Sequence, residues 1–567
     1  MTFKPLPIGV DNFKKLITNG YYYVDKTMLI KELIDNKSNV TLYTRPRRFG
    51  KTLNISMLQY FFEKKIDLDG KEEDNFYLFK NTHIMDCSED YLSYMGKYPV
   101  INLSLKSAKQ PTFDLSYSCI KEEIISEFKR HINILNDDKI LEEDKRKYMK
   151  ICNRENEEEL YITSLKFLCE CLNKYYDKKA IILIDEYDVP LENAYFRGFY
   201  QEMVDFIRSL FESALKTNVY LEFAVLTGCL RITKESIFTG LNNLDIISIL
   251  DNYYSEYFGF TEDEVKNMLD FYGVSSKFKT VKSWYNGYLF GDTNVYNPWS
   301  TVKIVKDLYK NINVIPSSYW ANTSSNSIVR SLIERADINT KAEIEELIMG
   351  KSIIKPVHED ITYDEIYKSM DNLWNFLFFT GYLKKVSQKY IDKQNLVELK
   401  IPNEEVEYIF RNKILDWFNE KIEHSDLTVL YSAMFDGDSA LFEEQLVSLL
   451  EESISFNDSY ENFYHGFMLG ILMNLKKYKV KSNRESGIGR SDIIIQYPNR
   501  RGKAVIIELK VANNPKDLEL KCNEALEQIE KNRYDMNLVN DGYTDILKYG
   551  IAFYKKDCMI LKECDKE

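Results

Sequence analysis

No Cys-x-x-Cys pair occurs in this sequence, which removes the zinc-ribbon architectures built on that spacing. The nine cysteines are odd in number and thinly scattered, so they do not read as a disulfide framework. Cys169 and Cys171 stand too close together for a standard zinc loop and suit a single helix. The five histidines are dispersed as well, and no structural metal site is expected. A basic coat is also missing. The formal net charge is −13, which excludes a chain covered in nucleic-acid-binding charge but leaves room for a local basic groove. No apolar run approaches the roughly 18 residues of a membrane helix. Met1-Thr2-Phe3-Lys4-Pro5 has no hydrophobic leader character, and no internal repeat or low-complexity linker breaks the chain. A reduced, soluble, cytoplasmic protein without a membrane partner is expected.

What is present is a long chain of ordinary globular composition. Its 567 residues suggest about three or four domains at roughly 150 residues each. The hydrophobic and charged fractions of 44% and 29% are enough to build sizeable cores. Aromatic residues make up 14%, read here as packing rather than as a stacking platform.

The chain is organised around residues 39–59. A β-prone run, Val40 to Thr44, enters a tight loop ending in Gly50-Lys51-Thr52, and a helix-prone segment follows. Strand, loop, Gly-Lys-Thr and helix form the context of a phosphate-binding loop. The helix N-terminus offers N–H groups and favourable potential to an anion. Lys51 is placed to reach the outer phosphates of ATP and Thr52 to ligate Mg²⁺. The consensus glycine five residues before Gly50 is Arg45, and Pro46 lacks an N–H. Arg47 and Arg48 are expected to offset that loss with side-chain donors.

A second signal is Ala180-Ile181-Ile182-Leu183-Ile184 followed by Asp185-Glu186. Five apolar residues predict a fully buried strand of a parallel sheet, and ligands bind at the C-terminal edge of such sheets. In this Walker B pattern Asp185 serves the Mg²⁺ shell and Glu186 orients or deprotonates the attacking water. The alternative is a strand that simply ends in acidic caps. A third buried strand, Tyr220 to Gly228, ends beside Thr227, a position for a γ-phosphate sensor. Arg231 beyond it could supply positive charge; for both residues a plain turn is the competing reading. Asp25 and Thr27 are read either as caps of a helix over Met28 to Asp35 or as contacts to the nucleotide base. Cys119 to Lys150 is charged and helix-periodic.

From about residue 260 strand signals thin and helical periodicity dominates, with aromatic turns at Trp284 to Tyr288, Tyr296 to Ser300 and Tyr319 to Thr323. The last hundred or so residues carry a second constellation. A helix over Tyr460 to Leu475 precedes a basic run, Lys476, Lys477, Lys479, Lys481 and Arg484. Two strands follow, Gly489 to Ile495 and Ala504 to Val511, across a turn with Arg500 and Arg501, and then a helix from about Asp517 to Asn532. Glu508 and Lys510 alternate onto one face, and Asp492 on the neighbouring strand can reach it. Two carboxylates and a lysine can bind a divalent cation and activate water beside a phosphodiester. Glu461 and Gln528 can complete the pocket, and nearby cations would attract a phosphate backbone without reading sequence. A cross-strand ion pair of Lys510 is the bland counterpart.

On these residues the chain resembles the bacterial AAA-ATPase-like proteins with a C-terminal PD-(D/E)xK nuclease domain. The likeness runs through Leu6 to Val10, Tyr23 to Thr27, Arg45 to Thr52, the three aromatic turns, Glu461 to Leu469, Asp492 and Glu508 to Lys510, nearly the whole chain. Arg-Pro-Arg-Arg-Phe-Gly-Lys-Thr looks like that family's own phosphate loop, and Ser491 stands where the superfamily usually has proline. The resemblance implies an α/β fold: a P-loop NTPase parallel sheet with helices on both faces over 1–260, a helical lid or adaptor region over 261–435, and a C-terminal α/β PD-(D/E)xK-like domain over 436–567. By resemblance Lys51, Thr52, Asp185 and Glu186 carry over as nucleotide-site residues, Glu186 as catalytic; Arg47, Arg48, Phe49, Gly50, Thr227 and Arg231 stand beside them as candidates by position. The implied nuclease core is Asp492, Glu508 and Lys510, with Glu461 and Gln528 accessory. Metal ligation falls to Thr52 and Asp185 at one site and to Asp492 and Glu508 at the other. ATP and Mg²⁺ are the implied cofactors and nucleic acid the implied partner, DNA favoured over RNA, with oligomeric state open. The competing reading is a signalling NTPase switch whose C-terminal domain only binds.

Overall fold

Every position of Ala180–Asp185 is buried, because helices cover both faces of the sheet it belongs to. The computed structural model describes residues 3–66, 71–155, 157–230, 237–238, 242–320, 329, 332, 334–359, 363–366, 368–412, 426–452, 461–472, 475, 478–486, 489–498 and 502–563. Packing divides the chain into two compact units, residues 1–325 with 354–407, and residues 326–353 with 408–567.

The first unit holds a five-stranded sheet in the order Val100–Ser104, Ala180–Asp185, Leu221–Gly228, Val40–Thr44, Leu244–Ile247. All its pairings are parallel. The strand leading into the phosphate loop lies between Leu221–Gly228 and Leu244–Ile247, so three strands end side by side near that loop: those carrying Thr44, Asp185 and Thr227. Helix Lys51–Phe62 packs across the sheet with a largely buried surface. The Cys119 to Lys150 periodicity resolves into two helices, Phe113–Arg130 and Glu142–Cys152, separated by a short 3-10 turn at Ile132–Asn136. The strand Leu244–Ile247 has little signal in the sequence, being four residues long and mostly half buried.

The N-terminal segment straps the sheet to the helices that follow. Leu6, Ile8, Tyr22 and Val24 pack against a cluster that includes Val265, Tyr285, Tyr296 and Ile304. The buried Lys26 amine donates to Glu264 at 2.7 Å and to the Glu256 carbonyl at 2.6 Å. Asp25 accepts the Thr27 N–H and hydroxyl and the His83 N–H, so its carboxylate is spent on the helix entry. The middle of the chain is mainly helical, with Glu262–Phe271, Phe278–Tyr285, Pro298–Lys310 and Met370–Phe379. It also carries an antiparallel hairpin, Lys384–Ile391 with Gln394–Lys400. Its β-branched and aromatic residues are interrupted by lysines, which masks strand character in the sequence.

The second unit is built on a mixed five-stranded sheet in the order Lys479–Ser486, Gly489–Gln496, Ala504–Val511, Ile546–Tyr554, Asp557–Lys562. Only the pairing of Ala504–Val511 with Ile546–Tyr554 is parallel. The connection between those two strands carries helix Leu518–Lys531. Helix Glu461–Leu472 buries Tyr464, Phe467, Met468 and Ile471 in one core cluster with Ile493, Ile495, Ile507 and Leu509 of the sheet. Among the described residues no helix is long and apolar enough to cross a membrane. Lys476, Lys477, Arg500 and Arg501 of the expected basic run and turn lie outside the described residues, as does Arg231.

Candidate functional sites

The phosphate loop is held by residues that do not belong to the usual consensus. Arg45 is fully buried. Its guanidinium donates to the Thr44 carbonyl at 2.9 Å and the Ile247 carbonyl at 3.0 Å. It also lies 5.2 Å from the ring centres of both Phe258 and Phe290. Burial lowers its pKa to about 10, and the two ring faces help retain the charge. Phe49 sends its ring into the same core, edge-on to Tyr288 at 4.9 Å. Arg47 is ion-paired with Glu192, and Arg48 lies 4.6 Å over the Trp299 ring. In this state both arginine side chains are engaged with protein groups.

Gly50 adopts φ +83, a left-handed conformation that a side chain tolerates poorly, and the space where a Cβ would stand is open. It has no side chain to cap helix Lys51–Phe62, so the N–H groups of the first turn are left for an anion. Lys51 Nζ donates to the Arg45 and Pro46 carbonyls, each at 2.9 Å, folded back over the loop. The Thr52 hydroxyl donates to Asp185 Oδ2 at 2.7 Å, and the Thr227 hydroxyl donates to Asp185 Oδ1 at 2.5 Å. One carboxylate at the end of the buried strand thus gathers the loop threonine and the next strand's threonine. Glu186 follows at φ +54, an unusual backbone for a glutamate. Burial first, then the adjacent charge of Asp185, raises its carboxyl above the ordinary range.

Asp188 carries no motif that marks it in the sequence. Its carboxylate is buried and accepts the N–H groups of Cys229 and Leu230 at 2.7 and 3.2 Å. The Tyr187 hydroxyl donates to the Leu230 carbonyl at 2.5 Å. The pair ties the chain beyond Thr227 to the Walker B turn. The only sequence signal was a second acid in Asp-Glu-Tyr-Asp. An open helix start, a lysine on an anion's path and a carboxylate held beside a threonine hydroxyl are the donor set that a nucleotide with Mg²⁺ requires.

The second unit brings Asp492 and Glu508 onto neighbouring strands. The Asp492 N–H donates to Glu508 Oε2 at 3.3 Å, and the Leu509 N–H donates to Asp492 Oδ2 at 2.9 Å. Glu508 is 2% exposed and receives a hydrogen bond from the Gln528 side chain on helix Leu518–Lys531. Lys510 Nζ lies 3.6 Å from Glu508 Oε1 and keeps partial access to solvent. Burial and then the Asp492 charge raise the Glu508 carboxyl to about 7, against the lowering effect of Lys510. Gln528 in turn contacts the Tyr534 hydroxyl at 3.3 Å. The backbone of Glu461 opens helix Glu461–Leu472, but its side chain lies outside the described residues. No group of three or more His, Cys, Asp or Glu gathers as a metal cage among the described residues. A pair of neighbouring carboxylates, one of them made reluctant to ionise by burial and by the other's charge, suits Mg²⁺, which takes one or two protein carboxylates and keeps several waters.

Comparison with known proteins bears on the two domains that carry these residues. Residues 7–238 match the family described as "Predicted AAA-ATPase". Residues 459–563 match the PD-(D/E)XK nuclease superfamily. A relative from Azotobacter chroococcum mcd 1, described as "Uncharacterized protein in vnfD 5'region", is 27% identical over 421 residues, covering 73% of this chain and 70% of its own length. The chain therefore carries an AAA-ATPase-like domain over residues 7–238 and a C-terminal domain of the PD-(D/E)XK nuclease superfamily over residues 459–563.

Proposed function

We propose that the protein binds and hydrolyses ATP in the first unit and cleaves phosphodiester bonds of nucleic acid, DNA before RNA, in the second. The observation that carries the ATP reading is the convergence of Thr52 and Thr227 on Asp185 beside Lys51. Lys51 exchanges its loop carbonyls for phosphate oxygens, an inexpensive move because the amine already lies over the loop. Thr52 and Asp185 are the residues that would hold Mg²⁺. Glu186, with its raised pKa, accepts the proton of the attacking water, and Thr227 orients that water or the γ-phosphate. In the second unit Asp492 and Glu508 would hold the divalent cation, which supplies Lewis-acid stabilisation of charge on the scissile phosphate. Gln528 fixes the Glu508 carboxylate, and Lys510 positions the nucleophilic water or the developing charge.

The test is steady-state ATP turnover together with cleavage of single- and double-stranded substrates in Mg²⁺ or Mn²⁺, with and without ATP. Lys51→Ala is expected to abolish turnover, and Lys510→Ala to reduce cleavage by at least about a hundredfold, as for loss of one preorganised donor. Equal cleavage by Lys510→Ala and wild type, purified identically, removes the nuclease assignment. ATP turnover without strand scission in either metal selects the switch reading instead.

A further inference from the structure

The hairpin Lys384–Ile391 with Gln394–Lys400 is used by neither site described above. Its residues 384–400 hold five lysines against one aspartate and one glutamate, in a chain of net charge −13. The register places Lys384 directly opposite Lys400 and Lys389 opposite Leu396, so these lysines share one face. The other face is committed to the core through Val397 and Leu399. Both Lys384 and Lys400 are half-buried. Burial and then the charge of Lys400 lower the Lys384 amine from its usual range, and no carboxylate acts to raise it. Glu398 shares the lysine face and accepts a hydrogen bond from Ser387 Oγ at 2.7 Å.

Like charges directly opposite one another destabilise a strand pair. Protection of an exposed sheet edge explains lysines on the edge strand Lys384–Ile391. It does not explain Lys400, because Gln394–Lys400 is the central strand of its sheet. The tip repeats the pattern. Asp392 and Lys393 both take left-handed backbone conformations, φ 49 and 65, in the turn that usually recruits glycine or asparagine. A lysine is thus held at the apex at a backbone cost of about 1 kcal/mol. Tyr390, opposite Asn395, lies on the other face from the lysines and is 75% exposed. The base is tied to the chain before it: Asn403 Nδ2 donates to the Asn286 carbonyl at 2.9 Å. Gly287 lets the Pro402 carbonyl and Lys384 Nζ come close, since a Cβ there would stand 2.1 and 3.2 Å from them.

We propose that this hairpin is a nucleic-acid-binding wing: Lys384, Lys400 and Lys389 grip the phosphodiester backbone along one face. The proposal rests on the reading that the protein acts on nucleic acid. The two strands place three lysines and one carboxylate, Glu398, on this face; the phosphates add counter-charge there, and binding is independent of sequence and steep in salt.

The experiment is fluorescence anisotropy of the full chain, in EDTA to prevent cleavage, with a labelled single-stranded DNA, its duplex and RNA of the same sequence, over a salt series. Lys384→Gln with Lys400→Gln is expected to weaken binding roughly tenfold and to make the slope of log affinity against log salt shallower by about 1.4 to 1.8, the loss of two phosphate contacts. Because repulsion is relieved, the same variant melts no lower than wild type and turns over ATP unchanged. Lys389→Gln with Lys393→Gln, at the exposed end, provides the same readout without touching the half-buried pair. Wild-type affinity and slope in both lysine variants overturn the proposal, even if the protein cleaves DNA in Mg²⁺. Loss of ATP affinity with unchanged polymer binding overturns it too, assigning the lysine pair to nucleotide phosphates. Weakened binding in a protein that shows no cleavage keeps the wing and rejects the nuclease reading alone.

Discussion

At the scale of single residues, the proposed chemistry draws on two carboxylates, Glu186 and Glu508, whose charge is resisted by their surroundings. Glu508 has an ordinary pKa of 4.5, raised to about 7 by burial and by Asp492. Between those values the folded protein retains a proton that the unfolded chain has released. This carboxyl therefore favours the fold below that window, and the advantage is lost as pH rises through about 7. A cation reverses the balance, because it requires the ionised form. Apparent Mg²⁺ affinity of the second unit is expected to rise as pH increases through 7, with proton release on binding at the acid end. Calorimetry in buffers of different ionisation enthalpy measures that release, and in Glu508→Gln both the release and the pH dependence vanish. An affinity that is flat with pH in the wild type contradicts the role given to Glu508. Arg45 teaches a different lesson at the same scale. A missing consensus glycine looked like a defect, yet the arginine is a core residue that anchors the loop to two strand-end carbonyls and two aromatic rings.

At the scale of elements, the end of strand Leu221–Gly228 is the mechanical link between the Walker B turn and the chain beyond Thr227. Gly228 is required there, because a Cβ would lie 2.4 Å from the Tyr187 ring and 2.9 Å from an Asp188 carboxylate oxygen. Gly228→Ala is expected to destabilise the first unit by about 1–3 kcal/mol through overpacking. It should also displace Tyr187 from the Leu230 carbonyl and loosen Asp188 from its two N–H donors, weakening nucleotide binding. Denaturant melts and binding of a fluorescent ATP analogue measure the two effects, and wild-type values in both reject this account of the turn. The elements themselves were unevenly visible. Ala180–Asp185 and Ala504–Val511 were legible because long β-branched and aliphatic runs have few alternatives to a buried strand. The hairpin at 384–400 was not, since a half-exposed strand rich in lysine has no hydrophobic run and a bulge between Lys385 and Ser387 breaks its alternation.

At the scale of the whole molecule, two units with separate cores should respond separately to ligands. ATP with Mg²⁺ at a hundred times its Kd should stabilise the first unit by about 2.7 kcal/mol through mass action. In scanning calorimetry the transition assigned to that unit rises in wild type and stays fixed in Lys51→Ala. A shift of equal size in Lys51→Ala would mean that the nucleotide binds elsewhere. The sequence by itself determined the chemical parts: a Gly-Lys-Thr at a strand-to-helix turn, a buried strand ending in two acids, and an Asp with a Glu-x-Lys on adjacent strands. Each of these is a local pattern, with its function written in residue type and short spacing. Tertiary structure alone decided which parts meet. That Thr52 and Thr227 share Asp185, that Asp188 holds the chain after Thr227, and that Lys384 faces Lys400 all depend on strand order and register. Those are set by how nonlocal apolar surfaces bury one another, and no spacing along the chain encodes them.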